Sequence, residues 1–433
     1  MIEPKPKNLI KKLQQVFSGY LADELTVAVA VSGGGDSMAL LLALKSYIET
    51  SQLSVKILAL TVDHNLRIES AIEAVQVANW CVKLNIEHHI LRWNFDVKPT
   101  SAIQEKARNA RYELMSDYCK NNQITTLFFG HNLEDNAETF LMRLKRGAGV
   151  RGLSAISTKS IRLLDNGFEL KIYRPFLAVK RQELRQYLAD KSQSYFDDPS
   201  NDNEKYERVK IRNFLGDNDI VDNEHIAQSA MRLRRAEQAL EYYVEKFWNE
   251  EVNLLEYSIA KIDVSKFMQR PDEIKLRIFA RLIWSIGGQD DPPRWQKLEY
   301  LLNQIMQNNY TGRYCLGNCL LIFKQNNLWF GYENRNGNIN DVSNITTMVS
   351  TIYQNRLMVL NAAKLAVTIR HLGACRQLMT TFSGEHKALA ACPKKILQTL
   401  PIVTNDKQQI LAPQTNDEQS EYLRISMNLK IRR

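Results

Sequence analysis

Nothing in this sequence marks it for a membrane or for export. Its 433 residues hold no run of about 18 apolar side chains, the length a helical span needs. The opening segment, MIEPKPKNLIKKLQQVF, is too charged to supply the apolar core of a signal peptide. Cysteine is sparse. The six residues (Cys81, Cys119, Cys315, Cys319, Cys375 and Cys392) make no disulfide framework and suit a reducing compartment. Cys315 and Cys319, in CLGNC, lack a second Cys or His pair nearby to complete a metal site, so they read as small packing residues. No internal repeat stands out. The expected location is cytoplasmic, with no membrane partner.

What is present is the balance of a globular protein, 44% hydrophobic and 24% charged, with length for two or three domains. The net charge of +9 is unevenly placed. From Leu141 to Arg185 eleven Lys/Arg face three Asp/Glu, so that block alone carries +8. A polyanionic partner is expected there, nucleic acid foremost; a solvated basic face is the plainer alternative.

The first half alternates short apolar runs with helical patterns. Strands are expected at Thr26–Val31, Val55–Val62, Ile86–Trp93 and Thr125–Gly130. Helices are expected at Ser37–Ile48, Glu69–Leu84, Ser101–Cys119 and Leu133–Leu144, with Ser101 and Gln104 forming a capping box. This alternation predicts an α/β fold built on a doubly wound parallel sheet. From about Asn218 to Ile305 the pattern is helical, and from about Asn309 it turns to short β-like runs between Asn/Gly-rich linkers. The expected domains are therefore 1–215 (catalytic), 216–308 (helical) and 309–433 (small α+β).

The most informative stretch is TVAVAVSGGGDSMALLLAL, Thr26 to Leu44. A glycine-rich bend between a parallel strand and a helix lets backbone N–H groups close on an anion, and the helix N-terminus adds its own donors. Ser32 and Ser37 offer hydroxyls, and Asp36 is placed to hold Mg²⁺ against phosphate. The bend is not a Walker A loop, because no Gly-Lys-Ser/Thr follows; nor does it have G-x-G-x-x-G spacing.

A second string, FFGHNLEDNAETFLMRLKRGAGVRGLSAI, spans Phe128 to Ile156. His131, Asp135 and Glu138 are spaced to share one helical face at the carboxyl end of a strand, where a substrate crevice belongs. Two carboxylates and an imidazole there suit metal binding or proton transfer; a helix N-terminus favouring acids is the plainer reading. Arg108 and Arg111 lie one turn apart and can clamp a phosphate or a base edge, unless Arg108 only pairs with Glu105. Arg143, Lys145, Arg146 and Arg151 flank Gly147, Gly149 and Gly152, which suits a loop approaching a nucleic-acid backbone or, more simply, a helix ending at Gly147.

The string SGGxDS resembles the PP-loop of the N-type ATP pyrophosphatases, which split ATP into AMP and pyrophosphate. The H-x-x-x-D-x-x-E-T and R-G-x-G-x-x-G-L blocks resemble those of the tRNA(Ile)-lysidine synthetase family within that superfamily. ARNARY (107–112), YRPFL (173–177), DDPSNDN (197–203) and RVKIRNFL (208–215) fit that family in order. The resemblance is strong over residues 20 to 215. Two departures stand out. Glu-Asp-Asn-Ala-Glu-Thr replaces the family's usual Asp-Asp-Gln-x-Glu-Thr, so Glu134 and Asn136 differ. In the tail, only CPKKIL, with Lys394 and Lys395, echoes the family's basic block.

The resemblance implies ATP and Mg²⁺ as cofactors, and as partners L-lysine and tRNA-Ile with a CAU anticodon; a homodimer is a further expectation. It places the phosphates at Ser32, Gly33, Gly34, Gly35, Asp36 and Ser37, with adenosine near Thr61, Val62, Asp63 and His64, though Asp63 and His64 can equally cap a turn. It implies catalytic roles for Asp36, His131, Asp135 and Glu138, and metal binding by Asp36 and Asp135. Arg108, Arg111, Arg143, Arg146, Arg151, Arg174, Arg208 and Arg212 are the expected tRNA contacts. Rival readings are a thiolase, which needs a reactive Cys in the first half, and a nucleotide- or RNA-binding module without catalysis.

Overall fold

The computed structural model describes residues 7–427 apart from 22–23, 67, 96–98, 165–166, 198–206, 217–219, 256–257, 290, 334–341, 346–349, 354–356, 362–366, 375–388, 405–409 and 413–422. Most of DDPSNDN therefore lies outside the described residues. The chain divides into two compact units, one ending at Gln238 and one beginning at Ala239.

The first unit runs α1 (Lys7–Leu21), β1 (Thr26–Ala30), α2 (Gly35–Thr50), β2 (Lys56–Asp63), α3 (Ile68–Lys83), β3 (Glu87–Arg92), α4 (Ile103–Asn121), β4 (Thr126–Phe128), α5 (Leu133–Lys145), α6 (Val150–Leu153), β5 (Lys159–Leu163), β6 (Glu169–Tyr173), α7 (Arg181–Asp190) and α8 (Glu207–Gly216). Its six strands lie in the order β3-β2-β1-β4-β6-β5, all parallel except β5, which runs antiparallel to β6. The side-chain alternation of β1 explains the two-sided burial. Val27 and Val29 join one core with α1, α2 and α7, while Ala28 and Ala30 join another with Met115 and Cys119 of α4. The run from Met38 to Leu44 in α2 is buried all round, which is why it reads as uniformly apolar rather than amphipathic. In α1 the buried Leu9, Leu13, Phe17 and Leu21 recur every four residues, one stripe against the sheet core.

The four expected strands and four expected helices are all present, but the expected Ser101 cap is not. The helix begins after Ala102, which takes a left-handed conformation and makes no side-chain cap bond.

The topology places the site. After β1 the chain adds β2 and β3 on one side, then returns to lay β4 on the other side of β1. Such a reversal opens a crevice at the carboxyl ends of the two central strands. The glycine bend follows β1 and the His131 segment follows β4, so the two strongest motifs of the sequence meet there.

The expected boundary at 215 falls short, because the first part of α9 (Asn223–Glu251) belongs to the first unit, where Ile226 packs with Ala137 and Leu215. The second unit continues with β7 (Asn253–Leu255), β8 (Ile259–Asp263), α10 (Val264–Met268), α11 (Asp272–Gly287), α12 (Trp295–Gln307), β9 (Arg313–Leu316), β10 (Cys319–Lys324) and β11 (Asn327–Tyr332). The expected division at 308/309 runs through one sheet, ordered β7-β8-β11-β10-β9, in which Asp263 to Ala260 pair with Asn327 to Phe330. Two short strands hidden among long helical patterns account for the difference. The remaining elements are β12 (Val342–Ile345), β13 (Ser350–Tyr353), β14 (Leu357–Asn361), β15 (Val367–His371), α13 (Lys394–Leu397), β16 (Pro401–Thr404), β17 (Ile410–Ala412) and β18 (Leu423–Met427). They form a four-stranded sheet, β12-β15-β16-β17, and a three-stranded one, β13-β14-β18. Lys394 and Lys395 are exposed on α13. No helix among the described residues is long and apolar enough to cross a membrane.

Candidate active site at the sheet's switch point

The glycine bend is held by its own hydroxyls. Ser37 Oγ donates to the Gly34 carbonyl at 2.8 Å and accepts from the Ser32 N–H at 3.2 Å. Gly34 caps α2 without any side-chain cap bond, which leaves backbone donors of the helix end for an anion. Gly33 is required twice over. Its φ is +84°, and a Cβ there would stand 2.7 Å from the Phe196 ring and 2.8 Å from Val77. Phe196 N–H donates to the Gly33 carbonyl at 2.9 Å, tying the segment after α7 to the bend. Across the crevice, a Cβ on Gly130 would lie 2.8 Å from the carbonyl oxygen of Asp36, so only glycine lets the end of β4 approach α2 this closely.

Asp36 stands on the first turn of α2, its side chain 30% exposed. It accepts from Asn132 Nδ2 at 3.0 Å, and the Arg181 guanidinium lies 3.8 Å away. Burial and the nearby charge of Asp135 push its pKa up to about 6, against the pull of Arg181 and Asn132.

Asn132 also forms a reciprocal cap for α5. Its Oδ1 accepts from the Asp135 N–H at 2.8 Å, while its own N–H donates to Asp135 Oδ2 at 3.1 Å. Asp135 Oδ1 takes Arg208 at 2.8 Å and Arg181 at 3.3 Å. Glu138 is only 1% exposed, with Arg208 Nε 2.5 Å from one oxygen and Arg212 Nε 2.8 Å from the other. The expected face of His131, Asp135 and Glu138 thus divides. The two acids are engaged by arginines of α7 and α8, and Glu138 in particular anchors α8. Glu134 is engaged as well, its carboxylate accepting from the Arg181 N–H at 3.0 Å.

His131 belongs to a different neighbourhood. Burial, then the charges of Arg174, Arg111, Arg108 and Arg208, hold its pKa well below the usual histidine range. Its Nδ1 is buried without a partner, as are Arg111 Nε and His64 Nδ1. His64 is likewise pulled down by burial and by Arg111. Arg108 lies exposed over the Tyr112 ring at 5.3 Å. Arg108, Arg111 and Arg174 thus act on the neutral imidazoles, while Arg181, Arg208 and Arg212 meet the carboxylates.

Asp63 goes to the plainer of its two readings. It is buried and accepts from the Asn65 N–H at 2.9 Å and from Ser70 Oγ at 2.6 Å, shaping the turn into α3. Thr61 Oγ1 donates to the Val31 carbonyl at 2.7 Å, beside the half-buried Val62.

Of the arginines expected to meet tRNA, Arg208 and Arg212 are taken up by the acids, and Arg174 and Arg143 bond backbone carbonyls. Arg174 is 8% exposed and donates to the Ser157 carbonyl at 3.0 Å and to Ser160 Oγ at 3.1 Å. Arg143 donates to the carbonyls of Gly152 and Ala155 at 2.8 and 3.0 Å, pinning the loop that follows α5. Gly147 does end that helix, with φ +70°. Arg151 is exposed, and Arg146, also exposed, pairs with Glu207 at 2.5 Å.

Two site residues escaped the sequence reading, and both left a signal. Asn132 stands three residues before Asp135, the spacing of a reciprocal cap. Arg181 begins a helix, where a cation opposes the dipole and is unexpected without a partner.

The oxygen donors at Asp36 suit Mg²⁺, which is commonly held by one or two carboxylates together with substrate phosphates. Asp135 fits that role less well, since both of its oxygens are already bonded. Among the described residues no group of three His, Cys, Asp or Glu converges as a metal site.

A glycine bend between the first parallel strand and its helix, at the reversal of strand order and with an acid on the helix's first turn, defines a PP-loop protein. A family model, the PP-loop domain, matches residues 5–218. The tRNA(Ile)-lysidine synthase of Wolbachia pipientis wMel is 34% identical over 397 residues, covering 90% of this chain and 89% of that one. The enzyme of the same name from the Wolbachia of Brugia malayi (strain TRS) is 35% identical over 311 residues, 71% of this chain and 70% of that one. That of Ruegeria pomeroyi is 33% identical over 318 residues, 73% of each. The chain belongs to the tRNA(Ile)-lysidine synthase family.

Proposed function

We infer that the chain is a ligase that uses ATP to convert the wobble cytidine of the CAU anticodon of minor tRNA-Ile into lysidine, with free L-lysine as the second substrate. The cytidine C2 oxygen attacks the α-phosphorus and pyrophosphate leaves. The lysine amine then attacks C2, and the oxygen departs with AMP. The first step is needed because a carbonyl of this amide-like kind has no leaving group until its oxygen is adenylated.

The observation that carries this reading is the meeting of the PP-loop with Asp135 through Asn132. The bend from Ser32 to Ser37 takes the β- and γ-phosphates, and Val62 and His64 border the adenosine. Asp36 would hold Mg²⁺, which when bound neutralises phosphate charge. Asp36, Glu134, Asp135 and Glu138 outnumber Arg181, Arg208 and Arg212 by one, and that excess of negative charge draws the ammonium groups of lysine. Arg108 and Arg111 suit the anionic anticodon loop, whose unpaired bases leave their stack at less cost than in a duplex. His131 is held neutral, so it serves the cytidine as a hydrogen-bond partner rather than receiving a proton from an ammonium. Arg208 and Arg212 act through Asp135 and Glu138, while Arg146 and Arg151 face outward toward the tRNA backbone.

The thiolase reading loses its nucleophile. Cys81 and Cys119 are buried in the core, and burial pushes their thiols up to about 11 and 12. The deciding experiment incubates the protein with tRNA-Ile bearing CAU, ATP and labelled lysine, then digests the tRNA to nucleosides. Label in a modified cytidine, with AMP and pyrophosphate as co-products, is the expected result. Release of ADP and orthophosphate, or no tRNA-dependent release of pyrophosphate, would overturn it.

A further inference from the structure

We propose that Arg181 is a positioning residue for ATP cleavage, one guanidinium that sets the carboxylate of the PP-loop's Asp36 against the acids of α5 and fixes where it lies when the triphosphate arrives. The proposal rests on the functional reading above and deepens it at the same site.

The geometry singles out this side chain. Arg181 NH2 hydrogen-bonds Asp135 at 3.3 Å and stands 3.8 Å from Glu138, while Arg181 Nε stands 3.8 Å from Asp36. It spans three carboxylates from two elements and is itself 22% exposed. The acids of α5 have other cations, since Arg208 binds Asp135 and Glu138, and Arg212 binds Glu138. Among the described residues Arg181 is the one cation within ion-pair distance of Asp36. At 3.8 Å that contact is electrostatic rather than a hydrogen bond. It orients the carboxylate without occupying its lone pairs, so beyond the Asn132 bond to Oδ2 the oxygens stay open to a ligand.

The mounting is rigid. Leu184, Tyr187 and Leu188 of α7 are buried in the same core as α2, the helix that carries Asp36. Tyr187 Oη lies 3.3 Å from Ser46 Oγ of α2. The starts of α5 and α7 are joined as well, with Leu133 N–H donating to the Val179 carbonyl at 3.0 Å and Glu134 accepting from the Arg181 N–H. A cation at the first position of a helix opposes the helix dipole. For α7 alone, a neutral residue would serve better. The site explains why arginine stands there.

The test is tRNA-dependent release of pyrophosphate, measured against ATP concentration for the wild type, Arg181→Gln and Arg181→Lys, with thermal melting and binding of a fluorescent ATP analogue alongside. Expected for Arg181→Gln is a fall in kcat of about 100-fold, the scale of a misplaced catalytic group. The KM for ATP and the affinity for the analogue should change less than about 3-fold, because removing an orienting contact lowers kcat rather than uniform binding. Arg181→Lys should recover part of kcat, and both variants should melt near the wild type. Unchanged kcat, a KM-only effect, or a loss of kcat that follows a lowered melting temperature in both variants would overturn the proposal. Wild-type protein that releases no pyrophosphate with tRNA would instead bring down the lysidine reading beneath it.

Discussion

The side-chain amide of Asn132 donates to Asp36 at 3.0 Å while its carbonyl oxygen accepts from the Asp135 N–H at 2.8 Å, so one buried residue joins the PP-loop to the acid-bearing helix. Losing the helix cap costs about 0.5–2 kcal/mol. Asn132→Ala should therefore lower the melting temperature by a few degrees and abolish tRNA-dependent pyrophosphate release. Asn132→Asp separates the two roles. Aspartate caps a helix as well as asparagine, but it sets another carboxylate beside Asp36. That variant should melt close to the wild type and still lose pyrophosphate release. If Asn132→Asp is fully active, the link to Asp36 does not matter to catalysis.

Glu138 offers a choice between anchor and base. As an anchor, its substitution by Gln leaves Arg208 and Arg212 without their shared counter-charge. Breaking a buried pair by removing one partner costs about 3–5 kcal/mol, and the partly exposed arginines should reduce that to roughly 2–3 kcal/mol here. Urea unfolding of Glu138→Gln should show that loss, and pyrophosphate release should fall with it. If Glu138 were the group that takes the proton from the lysine amine, stability and pyrophosphate release would both survive, and only lysine transfer would stop.

The parts of this site visible in the sequence are those fixed by local backbone geometry. Gly33 needs a positive φ, Ser37 must reach back to Gly34, and Asp135 and Glu138 share a helical face; each requirement acts over a few residues and leaves a short string. Arg181 and Asn132 were invisible as partners because Asp36 lies far from both along the chain. Arg174 and Arg143 look like Arg146 in sequence, since nothing local tells a guanidinium that bonds buried carbonyls from one that faces solvent. The fold shows the same division. The alternation of the first half predicts its parallel sheet, whereas β8 is a five-residue strand whose partner, β11, follows three helices later.

Stability should decline in mild acid. Burial, then the neighbouring His89, lowers the pKa of His88 to about 4, and burial also lowers those of His64 and His131. Unfolded histidines bind protons as pH drops through about 6.5, while the folded ones resist, so each removes stability from there downward, His88 until about pH 4. Asp36 acts oppositely. Its raised pKa means the folded state binds its proton first, adding stability as pH falls through about 6 toward the unfolded value of 3.8. Three histidines against one aspartate give a net loss between pH 6.5 and 4. Replacing His88 by Gln should flatten a plot of unfolding free energy against pH by up to about 1.4 kcal/mol per unit in that window. An unchanged slope would mean that His88 titrates normally.

The basic block makes its own claim in salt. Arg146 is exposed but paired with Glu207 at 2.5 Å, so a tRNA phosphate must compete with that carboxylate. Arg146→Ala should reduce the slope of log affinity against log salt by about 1 at most, because the ion pair already satisfies part of its charge. Glu207→Gln removes the competitor, freeing Arg146 and Lys145, which also binds Glu207, for phosphate. That variant should bind tRNA more tightly at low salt and steepen the slope. Arg143 provides the contrast within the same block. Its guanidinium bonds the carbonyls of Gly152 and Ala155, so Arg143→Ala should lower the melting temperature. Any weakening of tRNA binding in it should come from a displaced loop and should be equal at every salt concentration. Filter binding across a salt series distinguishes these cases. If Arg143→Ala flattens the slope as Arg146→Ala does, the inward arginine is a phosphate contact after all.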